Sequence, residues 1–215
     1  MDFLSQRICY TNTIEVENEE EQGRLLDVLI DKIKAEPVFS ETYTTLICRI
    51  FGRETESSLK VKFRKNILGR VKRLFDKSIC DRSVKEGFLQ FIGDMYNAGL
   101  ISHLTINNTI FSDLMLLFES KLPRNNESER EKAQRKIKER KDREIIGLSI
   151  IALLTRVGKK LFSDGEKSFH VFLQYMLKRF HDVKEKCSSQ FSCALADFKD
   201  LKENNFKDER TSHNC

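Results

Sequence analysis

Apolar side chains recur along this chain at i, i+3, i+4 and i+7, the period of helices that bury one face. After the acidic lead Glu19, Glu20 and Glu21, the positions Leu25, Leu26, Leu29, Ile30 and Ile33 form a first stripe. Carboxylates there favour a helix start, where they meet the positive end of the helix dipole. Pro37 ends that stripe, and Phe39, Tyr43, Leu46, Ile47 and Ile50 form a second, closed by Gly52. A third contains Phe63, Ile67, Leu68, Val71, Leu74 and Phe75. Val84, Phe88, Phe91, Ile92 and Met95 make a fourth, with a break around Gly99. The fifth is Ile106, Ile110, Leu114, Leu117 and Phe118. Past Pro123 and a charged run to Arg143, a sixth stripe comprises Ile146, Ile150, Leu153, Leu154 and Val157 and closes at Gly158. Phe169, Phe172, Leu173, Met176, Leu177 and Phe180 form the cleanest, and Phe191, Leu195, Phe198 and Leu201 a weaker last one. The pattern predicts eight helices of roughly 14 to 20 residues each, with a further short one near Phe3 to Ile8.

Such wide apolar faces must bury against neighbours on more than one side. Helices joined by short turns pack as antiparallel hairpins, and hairpins in series build an α-solenoid. A closed bundle satisfies the same periodicity, and no exact repeat period separates the two. Either way the fold class is all-α: two prolines and nine glycines in 215 residues leave too little punctuation for a β-rich chain. No uninterrupted apolar run approaches the roughly 18 residues of a membrane helix, and Met1 to Arg7 have no secretory pattern. The expected compartment is the cytoplasm, with the nucleus as the alternative and no membrane partner.

Six cysteines lie scattered, without a C-x-x-C pair or zinc-type spacing to histidine, and read as reduced structural thiols. His103, His170, His181 and His213 do not cluster. Gly158-Lys159-Lys160 lacks the upstream glycine and following Ser or Thr of a phosphate loop, and neither G-x-S-x-G nor H-E-x-x-H occurs. The expectation is a chain that is not an enzyme, with no cofactor, metal or small-molecule substrate.

The net charge of +5 matters less than its placement. Between Ser58 and Ser78 stand Lys60, Lys62, Arg64, Lys65, Arg70, Lys72, Arg73 and Lys77 against the single acid Asp76. With the apolar stripe facing the core, these cations fan across the outer face of one helix. Such a row can neutralise phosphates in salt-dependent, sequence-tolerant RNA binding, or meet an acidic partner. It also reads as a solvated face or as internal ion pairs. The run from Glu127 to Glu144 mixes signs, with Glu127–Arg130, Glu131–Arg135 and Glu139–Arg143 at helical spacing. It predicts a solvated helix that extends the next apolar one outward as an arm. Phe206, alone in a polar tail, reads either as a partner-contacting anchor or as structural.

Five segments occur in a telling order: Glu36-Pro37-Val38-Phe39 with Tyr43; Phe63-Arg64-Lys65-Asn66-Ile67-Leu68-Gly69-Arg70; Phe91-Ile92-Gly93-Asp94-Met95-Tyr96; Leu153 to Leu161; and Ser188-Ser189 followed by Asp200 to Phe206. Together they resemble the middle domain of eukaryotic translation initiation factor 4G. That resemblance implies an α-α superhelix, a HEAT-like crescent of about five antiparallel hairpins with the first and last shortened. It implies a domain over residues 1–207 and a polar tail over 208–215. It further implies a scaffold that docks and stimulates a DEAD-box RNA helicase of the factor 4A type. RNA is an implied partner, with initiation factor 3 or an mRNA-bound adaptor protein as another. On these matches Arg64, Lys65, Arg70 and Phe206 are the docking candidates, Phe206 standing where helicase-binding members tend to carry tryptophan. The same resemblance also covers short adaptors that link an RNA-binding protein to translation, decay or splicing complexes without touching a helicase.

Overall fold

The computed structural model describes residues 19–53, 57–80, 86–120, 128–163 and 167–206. Among them every predicted stripe lies on a helix, and no strand occurs. The first two helices are α1 (Glu19–Ala35) and α2 (Ser40–Arg53). They are followed by α3 (Ser57–Cys80) and α4 (Glu86–Asn97). Then α5 runs over 103–119, built from a single turn His103–Thr105, a π-helical segment Ile106–Phe111 and the α-helical Ser112–Glu119. Finally come α6 (Glu129–Ser163), α7 (Lys167–Val183) and α8 (Ser189–Glu203). The short helix expected near Phe3 to Ile8 and the tail over 208–215 lie outside the described residues.

Local chemistry places the helix ends. Ser102 Oγ accepts the Thr105 amide at 3.2 Å to start α5. Ser128 and Glu131 form a reciprocal capping box, the Ser128 amide donating to the carboxylate at 2.8 Å and the Glu131 amide to the hydroxyl at 3.4 Å. Gly99, at φ +78°, lets the chain reverse after α4 while the Leu100 amide bonds Met95 O at 2.9 Å.

α6 spans 35 residues, beyond the roughly 14 to 20 of the general pattern, because the charged run extends the sixth apolar helix as the expected arm. The charged run and the sixth apolar stripe are one helix, because Glu, Lys, Arg and Gln are good helix formers and nothing interrupts them. Gly158 does not end it. Missing its Cβ, Gly158 instead admits the ring of Phe206, and the helix continues one and a half turns to Ser163. Despite its length, neither α6 nor any other helix among the described residues is long and apolar enough to cross a membrane.

The helices arrange by parity. Even-numbered helices are neighbours in chain order, with α2 against α4, α4 against α6 and α6 against α8. Odd-numbered helices do likewise, with α1 against α3 and α3 against α5. Between α5 and α7 the aromatic pairs Phe111–Phe172 and Phe118–Phe180 meet at 5.3 and 4.9 Å between ring centres. The pairs lie 61 and 62 positions apart, and the later residue of α5 meets the later residue of α7, so the two helices run in parallel. One continuous apolar cluster fills the space between, from Leu26 and Ile33 through Phe91, Phe111 and Leu154 to Phe191 and Phe198.

Candidate protein and nucleic-acid interface

The cationic helix is α3. Its stripe is buried through Ile67, Val71 and Phe75, which turns the intervening cations outward. Lys65, Lys72 and Arg73 are exposed, and so is Lys77. Lys72 meets Asp76 one turn on at 3.1 Å, an exposed pair that constrains it little. Arg70 behaves differently. Its guanidinium ion-pairs with Asp27 of α1, and its side chain is 25 % exposed. A Cβ on Gly23 would stand 2.8 Å from Arg70 Nη2, so that glycine makes room for the guanidinium. Of the alternatives open to Arg70, the internal ion pair is the one realised. Lys60, Lys62 and Arg64 belong to α3, but their side chains lie outside the described residues.

A second feature spans the even-numbered layer. Asp94 of α4 is 5 % exposed and accepts two short bonds, from Ser40 Oγ of α2 at 2.5 Å and from Arg156 Nε of α6 at 2.5 Å. Arg156 Nη2 also reaches Glu41 at 3.3 Å. The bond to Asp94 pushes the Arg156 guanidinium above its ordinary range, against partial desolvation. Beside it, Asn97 Nδ2 donates to Arg156 O at 3.0 Å. Lys160 Nζ donates to the carbonyls of Tyr96 and Asn97 at 2.9 and 3.2 Å. A cation on those carbonyls suits the negative end of α4, and the ammonium lies 4.8 Å from the centre of the Tyr96 ring. Above the network opens a groove of about 840 Å³ bounded by α2, α4 and α6, with Glu41, Asn97 and Lys159 along it and Phe206 at one end. Asp94 is neutralised by Arg156 and held by Ser40, so the trio locks three helices together.

Phe206 stands apart from its expected setting. The chain turns back after α8 with Asn205 and Phe206 at φ +54° and +57°, and the Phe206 amide bonds Leu201 O at 2.7 Å. Its ring is 5 % exposed, against Phe162 and Phe198 at 5.8 and 6.0 Å between centres. The residue read as lying in a polar tail is thus a core residue, with only an edge along the groove. The apolar surface left in that tail by the sequence has a covered partner within the chain, which is why it is not exposed.

Asp94 and Arg156 lie within the ordered segments, yet neither they nor Ser40 stand out there as site residues. The legible signal is polarity out of place, an Asp among Phe88, Phe91, Ile92 and Met95, and an Arg between Leu154 and Val157. Among the described residues no group of three or more His, Cys, Asp or Glu side chains could hold a metal ion. No family model matches the chain, and no curated protein matches its sequence.

Proposed function

We propose that this chain is a non-enzymatic scaffold of cytoplasmic translation initiation. It docks and stimulates a DEAD-box RNA helicase of the factor 4A type and touches RNA through α3. Its all-helical layers are read as an α-α superhelix of HEAT type. The observation that carries the proposal is the parity arrangement: helices two apart in sequence are neighbours, the packing of stacked hairpins. Such a stack presents long surfaces to partners. On one of them α3 offers Lys65, Lys72 and Arg73 exposed, cations able to neutralise phosphates. The five ordered motifs supply the helicase as partner class.

The test is the RNA-dependent ATPase of a factor-4A-type helicase with and without the purified chain. Stimulation accompanied by direct binding in calorimetry is expected. Unchanged turnover together with no heat of binding would sink the proposal. For the RNA contact, affinity for a single-stranded oligonucleotide should fall linearly in log–log with salt, and Lys65→Ala with Arg73→Ala should flatten that slope.

A second reading gains from one observation. The position expected to present an aromatic to the helicase, Phe206, is turned into the core. An adaptor of the same fold, linking an RNA-binding protein to the mRNA translation, decay or splicing machinery without helicase contact, needs no aromatic there. Affinity purification with and without nuclease separates the two, since a direct helicase partner survives nuclease treatment.

A further inference from the structure

Between α3 and α5, on the odd-numbered layer, lies a trough of about 800 Å³, and two of the α3 lysines offered to RNA above stand on its rim. Its walls include Val71 and Phe75 of α3, Leu100 and Ile101 of the α4–α5 turn, and Ile110 of α5. Two lysines of α3, Lys65 and Lys72, stand along one side. Seven positions apart on a helix, they lie on the same face at about 10 Å. Both are exposed.

Midway between them is Gly69. A Cβ built there meets nothing within 4 Å, so the backbone of α3 lies bare toward the trough. Glycine inside a helix costs about 1 kcal/mol relative to alanine, and among the described residues no neighbouring atom explains its presence. Two other glycines in helices differ in this respect, since Gly147 and Gly158 each lie under an aromatic ring of the chain's own. A bare helical backbone is the surface on which a second helix can approach most closely.

We infer that the trough between α3 and α5 docks an acidic amphipathic helix of a partner protein, its apolar stripe over Gly69 and its carboxylates on Lys65 and Lys72. Apolar walls select a segment with anchors at i, i+3 or i+4, and i+7. The lysine spacing selects two acids separated by seven residues on its flank, and these rim contacts set register and encounter rate more than affinity. RNA fits less well, because phosphate neutralisation needs no apolar trough. This inference stands independently of the helicase reading.

The probe is a fluorescein-labelled synthetic helix with leucines at i, i+3, i+4 and i+7 flanked by two glutamates seven residues apart, titrated with the full chain in fluorescence anisotropy. Saturable binding is expected, together with loss of about tenfold or more in affinity on Gly69→Leu, which fills the trough. Leucine is the better helix former, so that variant should keep or raise the thermal midpoint, and a loss of binding is then not a loss of fold. Lys65→Glu combined with Lys72→Glu should reject the glutamate helix and accept its lysine counterpart. No binding to the wild type, or undiminished binding to Gly69→Leu, overturns the inference. So does an oligouridine that binds wild type, displaces the peptide and is itself blocked by Gly69→Leu, which would assign the trough to RNA.

Discussion

Gly158 of α6 lies directly beneath the ring of Phe206, so close that a Cβ on residue 158 would overlap Phe206 Cε1, Cδ1 and Cζ. The contact holds the end of α8 against α6 and offsets a cost at Phe206, whose left-handed backbone disfavours a bulky L-residue by about 1–3 kcal/mol. Gly158→Ala should therefore destabilise by about 1–3 kcal/mol, as overpacking does. Phe206→Ala should cost about 3–5 kcal/mol, because alanine keeps the strained Cβ and loses the ring. In urea unfolding the double variant should be more stable than the summed single losses allow, because removing the ring removes the clash. Strict additivity would mean that the two residues do not share this space.

Asp94 and Arg156 make a lopsided pair. The carboxylate is 5 % exposed, while the Arg156 side chain is 39 % exposed and keeps contact with water. Removing the cation leaves a buried carboxylate bonded to the Ser40 hydroxyl. Arg156→Met should thus cost about 3 kcal/mol, the scale of an orphaned buried charge. Replacing Asp94 by Asn should cost less, since a half-exposed guanidinium can turn to Glu41 and water. Denaturant midpoints of the two variants check the order, and equal losses would count against it.

Stabilisation is expected at Asn107. It sits in the π-helical segment of α5, is 9 % exposed, and neither polar atom of its side chain has a hydrogen-bond partner among the described residues. Leucine has a similar shape and no donor or acceptor to strand. Asn107→Leu should raise stability by about 1–2 kcal/mol, read as a higher thermal midpoint. A lower midpoint would show that the amide is satisfied in solution.

Acid titration should weaken the contact between α5 and α7. Tyr175 Oη donates to Glu119 Oε1 at 2.6 Å, and Arg179 Nε donates to the same oxygen at 2.7 Å. The tyrosine's bond first, then the arginine, hold the Glu119 carboxyl below its ordinary 4.5. A carboxyl lowered on folding stabilises the native state above its unfolded value, and the contribution is lost as pH falls through the lower folded one. Tyr175→Phe should lose about 0.5 kcal/mol near neutral pH, the size of an exposed contact. Urea midpoints of wild type and variant should converge in acid below that range. A gap that persists unchanged would assign the loss to packing of the phenol. The same bond raises the Tyr175 phenol, whose own contribution holds below its ordinary 10.0 and fades as pH rises through the folded value.

Periodicity sufficed for the helices because burying a stripe needs only the right residues at the right angular spacing. Leu26, Ile67, Phe91, Leu154 and Phe180 are all buried at stripe positions. Helix ends were less legible. Ser128-Glu129-Arg130-Glu131 carries a capping-box spacing that marks the start of α6, a signal that the charge pattern by itself does not show. Gly158 read as a stop because glycine at the end of a stripe usually is one, and nothing along the chain says that a ring will fill its place.

Local periodicity is enough to give the eight helices of the described residues, the faces they bury and the cations strung along α3. Those are properties of residues within a few turns of one another. Tertiary structure decided which cations stay available, since Arg70 turns to Asp27, 43 residues away. It decided that Asp94 and Arg156, 62 residues apart, share a buried bond. It also decided that Phe206 belongs to the core. Each depends on distances across helices, which periodicity does not encode.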